Sequence, residues 1–426
     1  MKKLKVSVIG LGYVGFPLLC AIAKSEKYQA TGFDLSKEKI AKAQNHESTI
    51  EDELAKKLVR EITYEADSTP EVLKDTDIFI ICVPTPIDEF FNPDYTPVIS
   101  ASKIIAPYIK KGSYVVLEST VNPGTCEEVI LPVLEEATGL KGGKDFELAH
   151  CPERINPGDP KWNVLNIPRN IGELTEEGTK FLADFYRSIL NSNVNEMKTI
   201  KEAEATKIIE NTFRDINIAY VNELAKSFDV LGIDLVNVIK GASNKPFAFM
   251  AHYPSCGVGG HCIPVDPYYL IDRAKKAGFD HKFLRNARSV NNSMPSYTVE
   301  KLMKALNEHS MSIKGSNIAL LGLSYKKNIS DLRESPALVI RKILEKEYHC
   351  ENLRVYDPYN LDLSTHKSLE ETLKGVDAVV IATAHDEFVK YPIENWKKIK
   401  VIIDGQNCLD KATITKSGVT YRGIGR

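Results

Sequence analysis

A short apolar stretch, Val6 to Ile9, runs straight into Gly10-Leu-Gly-Tyr-Val-Gly15, and few local patterns restrict a fold more. Glycine at the first position permits a tight turn, and at the second it lets the backbone approach a pyrophosphate. At the third it lets the following helix pack closely on the strand. A helical stretch from Phe16 to Ser25 and a second strand, Ala30 to Phe33, complete the unit, with Asp34 at the strand tip. This order predicts a dinucleotide-binding unit, with Gly10, Gly12, Tyr13, Val14 and Gly15 around the phosphates and helix N-terminal amides beneath them. Asp34 is suited to accept from both ribose hydroxyls and would repel a 2′-phosphate, which favours NAD over NADP. Three close glycines alone can be an ordinary loop. The strand before them and the acid after them decide against that reading.

Two more apolar runs end in small polar or turn residues. Ile78 to Val83 leads into Pro84-Thr-Pro86, and Tyr114 to Glu118 leads into Ser119-Thr120. Such ends line the carboxyl edge of a parallel sheet, where ligands bind. Thr85 and Thr120 are therefore candidates at the cofactor edge, although turn chemistry explains either alone equally well.

From about Ile200 to Val230 the chain has neither proline nor glycine. Ile208, Ile209, Thr212, Phe213, Ile216 and Ala219 recur at helical spacing, which predicts one long helix. Such a helix can serve as a spine between domains and between subunits. The last third repeats the opening logic. Ile318 to Leu321 runs into Gly322-Leu-Ser-Tyr-Lys326, Leu353 to Tyr356 ends at Asp357, and Ala378 to Ala382 ends at Thr383-Ala-His385. Lys326 and Lys327 stand where the further glycines of the first turn would be, and lysine charge can hold phosphates there.

The predicted class is α/β: two doubly wound, Rossmann-like parallel-sheet domains joined by a long central helix and a small helical domain. The expected division is 1–198 for the NAD-binding domain, 199–300 for the helical domain with the spine, and 301–426 for the second sheet. A chain of 426 residues accommodates three such parts at roughly 150 residues each. Its formal net charge of −2, with no basic stripe, argues against a nucleic-acid partner.

Lys2, Lys3 and Lys5 ahead of an apolar run superficially resemble a secretory signal, but Gly10, Gly12, Gly15 and Pro17 interrupt it. No stretch reaches the ~20 apolar residues of a membrane span. The eight cysteines show neither CxxC nor a Cys/His cluster, so no metal is expected and a cytoplasmic, reduced protein is.

The stretch richest in chemistry is Gly257-Val-Gly-Gly-His-Cys262-Ile-Pro-Val-Asp266. Glycines ahead of a cysteine can gather backbone amides near the thiol, which favours the thiolate and an oxyanion formed when it attacks a carbonyl. His261 is adjacent, but neighbouring side chains usually diverge, so Asp266 is the better candidate for proton work. A buried structural cysteine is the plain alternative.

Several motifs occur together in one order: Gly10-Leu-Gly-Tyr-Val-Gly15, Val83-Pro-Thr-Pro86, Ser119-Thr-Val-Asn-Pro-Gly124 and Pro152-Glu-Arg-Ile-Asn-Pro-Gly158. Glu204-Ala-Thr-Lys-Ile-Ile-Glu-Asn211, Gly259-Gly-His-Cys262 and Ser330-Asp-Leu-Arg-Glu-Ser335 follow. With them the chain resembles the UDP-glucose/GDP-mannose dehydrogenase family essentially end to end. The resemblance implies oxidation of a sugar C6 alcohol to a carboxylate with two NAD and one water, through a cysteine intermediate.

On that resemblance Cys262 is the nucleophile, forming a thiohemiacetal and then a thioester. Glu153 activates the hydrolytic water, and Thr120 holds a water nearby. Lys207 and Asn211, one helical turn apart, stabilise the oxyanions, and Asp266 shares in the first deprotonation. Lys326 and Arg333 reach the nucleotide ligands from the second sheet. Arg154, Arg214 and Gly259 join Glu153, Lys207 and Asn211 around the UDP-sugar, although for Arg214 a surface salt bridge is equally compatible.

Arg154-Ile-Asn-Pro-Gly-Asp159, His261 and Pro264-Val-Asp266 resemble the branch acting on UDP-N-acetylhexosamines, with UDP-N-acetylglucosamine favoured over its galacto and manno epimers and over UDP-glucose. The family often has Pro-Gly-Pro before the glycine-rich loop, whereas this chain has His252-Tyr-Pro-Ser-Cys256. That brings a second thiol near Cys262, and the two could pair on oxidation. The family usually assembles through the central helix, so a homodimer or higher homo-oligomer is expected. Two other readings remain open: a two-electron 3-hydroxyacid-type dehydrogenase, and a non-catalytic nucleotide-sugar or NAD binder.

Overall fold

A computed structural model describes residues 3–50, 52–88, 92–155 and 161–426. The chain divides into two compact units. The first is Met1–Glu210 with Tyr268–Phe279, and the second is Asn211–Pro267 with Asp280–Arg426.

The first unit carries an eight-stranded sheet among the described residues, in the order β3-β2-β1-β4-β5-β6-β7-β8. Its strands are β1 (Lys5–Ile9), β2 (Gln29–Phe33), β3 (Glu65–Asp67), β4 (Ile78–Ile81), β5 (Tyr114–Leu117), β6 (Glu147–His150), β7 (Arg169–Glu173) and β8 (Val194–Glu196). The strands through β6 are parallel, and β7 then runs antiparallel to β6, pairing Ala149 with Glu173 and His150 with Gly172. The residues that begin β7 therefore lie at the carboxyl edge of the parallel strands.

Both faces of this sheet are covered, which is why its central strands read as unbroken apolar runs. Val6, Val8, Ile78 and Ile80 enter one apolar cluster. Ile9, Phe79 and Ile81 enter the other. The period of two along a strand distributes them.

The second unit carries a fully parallel sheet in the order β10-β9-β11-β12-β13. These strands are β9 (Asn317–Leu321), β10 (Asn352–Tyr356), β11 (Ala378–Ile381), β12 (Val401–Asp404) and β13 (Thr420–Gly423). In each sheet the first strand sits between the strands that follow it on either side, so each has a switch point where loops diverge and leave a crevice.

The spine is one continuous helix, Ile200–Leu231. Its apolar stripe is wider than its buried face. Ile208, Thr212 and Ala219 are buried, whereas Ile209 and Phe213 are exposed at 61% and 47%. Among the described residues no helix is long and apolar enough to cross a membrane.

Candidate active site

The opening turn of the first unit has the geometry its glycines predict. Gly10 takes φ +94°, and its amide donates to the Phe33 carbonyl at 2.8 Å. A Cβ on Gly10 would lie 2.8 Å from the Cys82 carbonyl oxygen, and one on Gly15 only 1.9 Å from that of Gly10. At Gly12 a Cβ would meet nothing within 4 Å. Internal packing thus requires the outer glycines, while the middle one leaves open room where a pyrophosphate approaches a helix N-terminus.

Asp34 Oδ2 accepts from the Leu11 amide at 2.8 Å and from Lys39 Nζ at 3.1 Å, and Oδ1 accepts from the Ser36 amide. The acid fastens the glycine turn to the end of β2, at the ribose position of such folds. Tyr13 is exposed and Val14 half-buried beside it. These residues fit a dinucleotide.

Farther along the same sheet edge, Thr85 is buried and its carbonyl accepts from the Tyr269 hydroxyl. Ser119 Oγ donates to the Val83 carbonyl at 2.6 Å, joining the loops after β4 and β5, and Thr120 follows half-buried. Glu153, just past β6, is 4% exposed. Its Oε2 accepts from the Ile155 amide, and its Oε1 lies 3.3 Å from Arg169 Nη2.

Arg169 is wholly buried and donates through Nη1 to Glu118 Oε2 at 3.2 Å. Glu118 Oε1 accepts from the Tyr186 hydroxyl at 2.6 Å. Burial pushes the Glu118 carboxyl above the usual range, and Arg169 opposes that shift. Burial also works against the Arg169 cation, but Glu118 and Glu153 outweigh it and keep the guanidinium charged.

Sequence reasoning passes over Glu118, Arg169 and Tyr186. The available signal is a charged residue abutting an apolar strand, which sequence cannot tell from a strand end facing water. Arg154 is held by Glu210, with Nε to Oε2 at 3.0 Å and a second contact between Nη2 and Oε1, and Nη1 donates to the Pro168 carbonyl at 3.0 Å. The stretch Asn156 to Asp159, part of the motif after Glu153, lies outside the described residues.

Lys207 is buried on the long helix, and Asn211 is one turn farther on. In the second unit, Asn211 Nδ2 donates to Asp266 Oδ2 at 2.6 Å. Asp266 begins the helix Asp266–Lys276. The Cys262 carbonyl accepts from the Val265 and Asp266 amides at 3.1 and 2.8 Å, so Cys262 stands at the turn that opens this helix. It is half-buried, and Arg214 is exposed.

The glycines before Cys262 serve close approach rather than a flexible ring of amides. Side chains on Gly259 and Gly260 would run into Tyr325, at 2.6 and 2.8 Å, and one on Gly257 into Pro336 at 2.9 Å. The Gly260 amide donates to the Arg333 carbonyl at 2.9 Å. This lays the cysteine loop against the first loop of the second sheet, which carries Lys326 and Arg333.

Arg333 pairs with Asp331, Nη2 to Oδ2 at 2.6 Å. That bond raises its guanidinium further, and Cys262 is among the groups acting on it. At the loop's end, Ser335 caps the helix Pro336–Lys342 through the Ala337 amide.

The second sheet reproduces the first turn with its acid turned inward. The Gly322 amide donates to the Tyr356 carbonyl at 2.8 Å, as Gly10 does to Phe33. Asp357 Oδ2 then accepts from the Leu323 and Ser324 amides, from Ser324 Oγ and from His385 Nε2. Wholly buried and so occupied, this acid holds its loop rather than a ribose.

Cys256 belongs to the core. It is fully buried, donates its thiol to the Ala382 carbonyl at 3.3 Å, and burial pushes that thiol up to about 12. Pairing with Cys262 would require pulling it from this apolar cluster, and none of the eight cysteines is in a disulfide.

The fold also brings together Cys126, His150 and Glu204, with ligand atoms within 4.8 Å of one another, which local sequence spacing does not reveal. Glu204 accepts from the Gly124 and Cys126 amides at 2.5 and 2.8 Å. The Cys126 sulfur lies 3.9 Å from His150 Nδ1. Burial raises Glu204 to about 7 and lowers His150 to about 3, so the histidine is neutral. The group holds a backbone turn through its carboxylate.

Three family models cover most of the chain. The NAD binding domain of the UDP-glucose/GDP-mannose dehydrogenase family matches residues 4–190, its central domain 201–293 and its UDP binding domain 319–411. The UDP-N-acetyl-D-glucosamine 6-dehydrogenase of Pseudomonas aeruginosa is 39% identical, covering 94% of both chains. The UDP-N-acetyl-D-mannosamine dehydrogenase of Pyrococcus horikoshii is 36% identical, covering 99% of both. A solved structure of a UDP-D-ManNAc dehydrogenase from Pyrococcus horikoshii superposes with a TM-score of 0.92 at 36% identity, again over 99% of both chains.

Proposed function

Since the chain belongs to the UDP-glucose/GDP-mannose dehydrogenase family and is an NAD-dependent UDP-sugar dehydrogenase, we propose that its substrate is a UDP-N-acetylhexosamine, UDP-N-acetylglucosamine first. The observation that carries the chemistry is the Asn211–Asp266 hydrogen bond at the head of the helix that Cys262 opens. It gives a buried carboxylate a fixed orientation four residues beyond a half-buried thiol. The substrate preference draws on relatives named for N-acetylglucosamine and for N-acetylmannosamine, and the latter sugar is the second reading.

Gly10, Gly12, Tyr13, Val14, Gly15, Asp34, Thr85, Thr120 and Arg333 would hold NAD, which would supply the hydride acceptor for C6 at each of two oxidations. Arg154, Arg214, Gly259 and Lys326 contact the UDP-sugar. Asp266 draws the proton from the C6 hydroxyl through water, and Lys207 and Asn211 stabilise the alkoxide. The Cys262 sulfur then bonds to the aldehyde carbon, giving a thiohemiacetal whose oxidation leaves a thioester. In hydrolysis, Glu153 takes a proton from a water that Thr120 steadies, while the water oxygen bonds to the carbonyl carbon. The C–S bond breaks, its electron pair returns to sulfur, and the carboxylate leaves.

We assign 1–198 to NAD binding, 199–300 to the helical part and 301–426 to UDP-sugar binding. The protein works in the cytoplasm, where a reducing medium keeps Cys262 reduced. It assembles as a homodimer or higher homo-oligomer along the long helix, whose exposed Ile209, Phe213 and Tyr220 suit an apolar interface.

The test counts NADH per sugar with excess NAD and a panel of UDP-sugars. Two NADH per UDP-N-acetylglucosamine, abolished in Cys262→Ala, is the expected result. One NADH per sugar, or indifference to that substitution, overturns the reading. Faster turnover of UDP-N-acetylmannosamine transfers the substrate to the second reading.

A further inference from the structure

The antiparallel β7 brings a buried cation to a sheet edge where the parallel strands deliver acids. Arg169, the first residue of β7, lies wholly buried between Glu118, at the end of β5, and Glu153, just past β6. Its two contacts differ in kind. Nη1 donates a hydrogen bond to Glu118. Nη2 approaches Glu153 Oε1 at 3.3 Å, yet Nη2, Nε and Oε1 make no hydrogen bond among the described residues.

The other oxygen of Glu153 is taken by the Ile155 amide. Oε1 is therefore steadied by charge, and among the described residues no hydrogen bond occupies its lone pairs. A general base needs that arrangement: a fixed carboxylate with one oxygen free to accept a proton.

We propose that Arg169 is a positioning residue for Glu153, and that Glu118 shares the same guanidinium and limits the positive charge Glu153 receives. This rests on the reading that Glu153 activates the water that hydrolyses the thioester. As the water oxygen bonds to the thioester carbon, its proton passes to Glu153 Oε1, and the C–S electron pair returns to Cys262. Arg169 draws the Glu153 carboxylate at 3.3 Å, and Glu118 competes for the same guanidinium.

Three further titratable groups beside the cluster are neutral. Tyr186 on the helix Glu176–Ile189, Cys82 after β4 and Cys151 after β6 are all held protonated, chiefly by burial. Among the described residues, the charges in direct contact here are the two carboxylates and the guanidinium.

The two neighbours of Glu153 should therefore act in opposite directions. With full-length enzyme, NAD and the UDP-sugar that the unsubstituted protein turns over, Arg169→Met should move the acid limb of the kcat–pH profile up by about one pH unit or more. It should lower kcat by about 100-fold, and a covalent sugar adduct should accumulate on Cys262, read by intact-protein mass spectrometry. Arg169→Lys should recover part of both losses. Glu118→Gln, nearly isosteric and still able to accept from Tyr186, should move the acid limb down, and it keeps the test independent of how Arg169→Met folds.

Shifts of the same sign in Arg169→Met and Glu118→Gln overturn the proposal. So does an unmoved limb in both, or a slow Arg169→Met with no adduct. If the unsubstituted enzyme itself forms no adduct and one NADH per sugar, the underlying reading of Glu153 fails first and takes this proposal with it.

Discussion

The side-chain amide of Asn211 donates to the carboxylate of Asp266 at 2.6 Å, across 55 positions of sequence. Both groups are buried, at 7% and 1% exposure, and a hydrogen bond to a charged group in such a setting contributes about 1.5–3 kcal/mol. It fixes where the carboxylate points, which neither residue's own helix could do.

Asn211→Leu should therefore affect catalysis more than folding. Loss of this donor leaves the Asp266 carboxylate without its fixed orientation, so kcat should fall by about 100-fold. Initial NADH rates measure it. An Asn211→Leu enzyme with the parent's rate would separate Asp266 from the proton transfer.

Gly260→Ala should loosen the cysteine loop. The position combines φ +91° with a Cβ 2.8 Å from the Tyr325 ring, so strain and overlap add, at about 1–3 kcal/mol. Thermal unfolding should show a drop of several degrees. Activity should fall with it, because the loop that carries Cys262 loses its seat.

Gly15→Ala should weaken cofactor binding at the first turn, since its Cβ would lie 1.9 Å from the Gly10 carbonyl oxygen. Isothermal titration with NAD should show at least about a tenfold weaker Kd, or roughly 1.4 kcal/mol. Gly12→Ala adds its methyl to open space and should leave the fold's stability intact while still weakening NAD.

Stability should decline toward alkaline pH through Glu173. Burial, reinforced by the neighbouring carboxyl of Glu147, raises Glu173 to about 8 from 4.5. Between those values the unfolded chain has released this proton and the folded one has not, so stability falls as pH rises through the window. Glu147→Gln removes the like charge and lowers the folded value. Its Tm at pH 9 should exceed that of the parent by a few degrees, with little difference at pH 4.

Local pattern exposes some features completely. The turn Gly10 to Gly15, its acid Asp34, the repeat of that logic at Gly322 and Asp357, and the cap at Ser335 are all readable, because each is set by neighbours in sequence and by backbone conformation. The long helix is equally legible, though its exposed Ile209 and Phe213 are not: apolar spacing reports a helical face, and only packing reports what covers it.

Other features depend on partners remote in sequence. The direction of β7 decides that Arg169 meets Glu118 and Glu153, and no periodicity within Arg169–Glu173 encodes that choice. Crowding by Tyr325 and Pro336 gives the glycines before Cys262 their purpose, and the apolar cluster around Ala382 makes Cys256 a core residue rather than a second reactive thiol. The sequence by itself determined the nucleotide turns, the long helix and, through its ordered motifs, the family, since these rest on short-range backbone geometry and residue type. Tertiary structure alone decided which buried charges face one another, because a carboxylate's partner is chosen by strand order and direction.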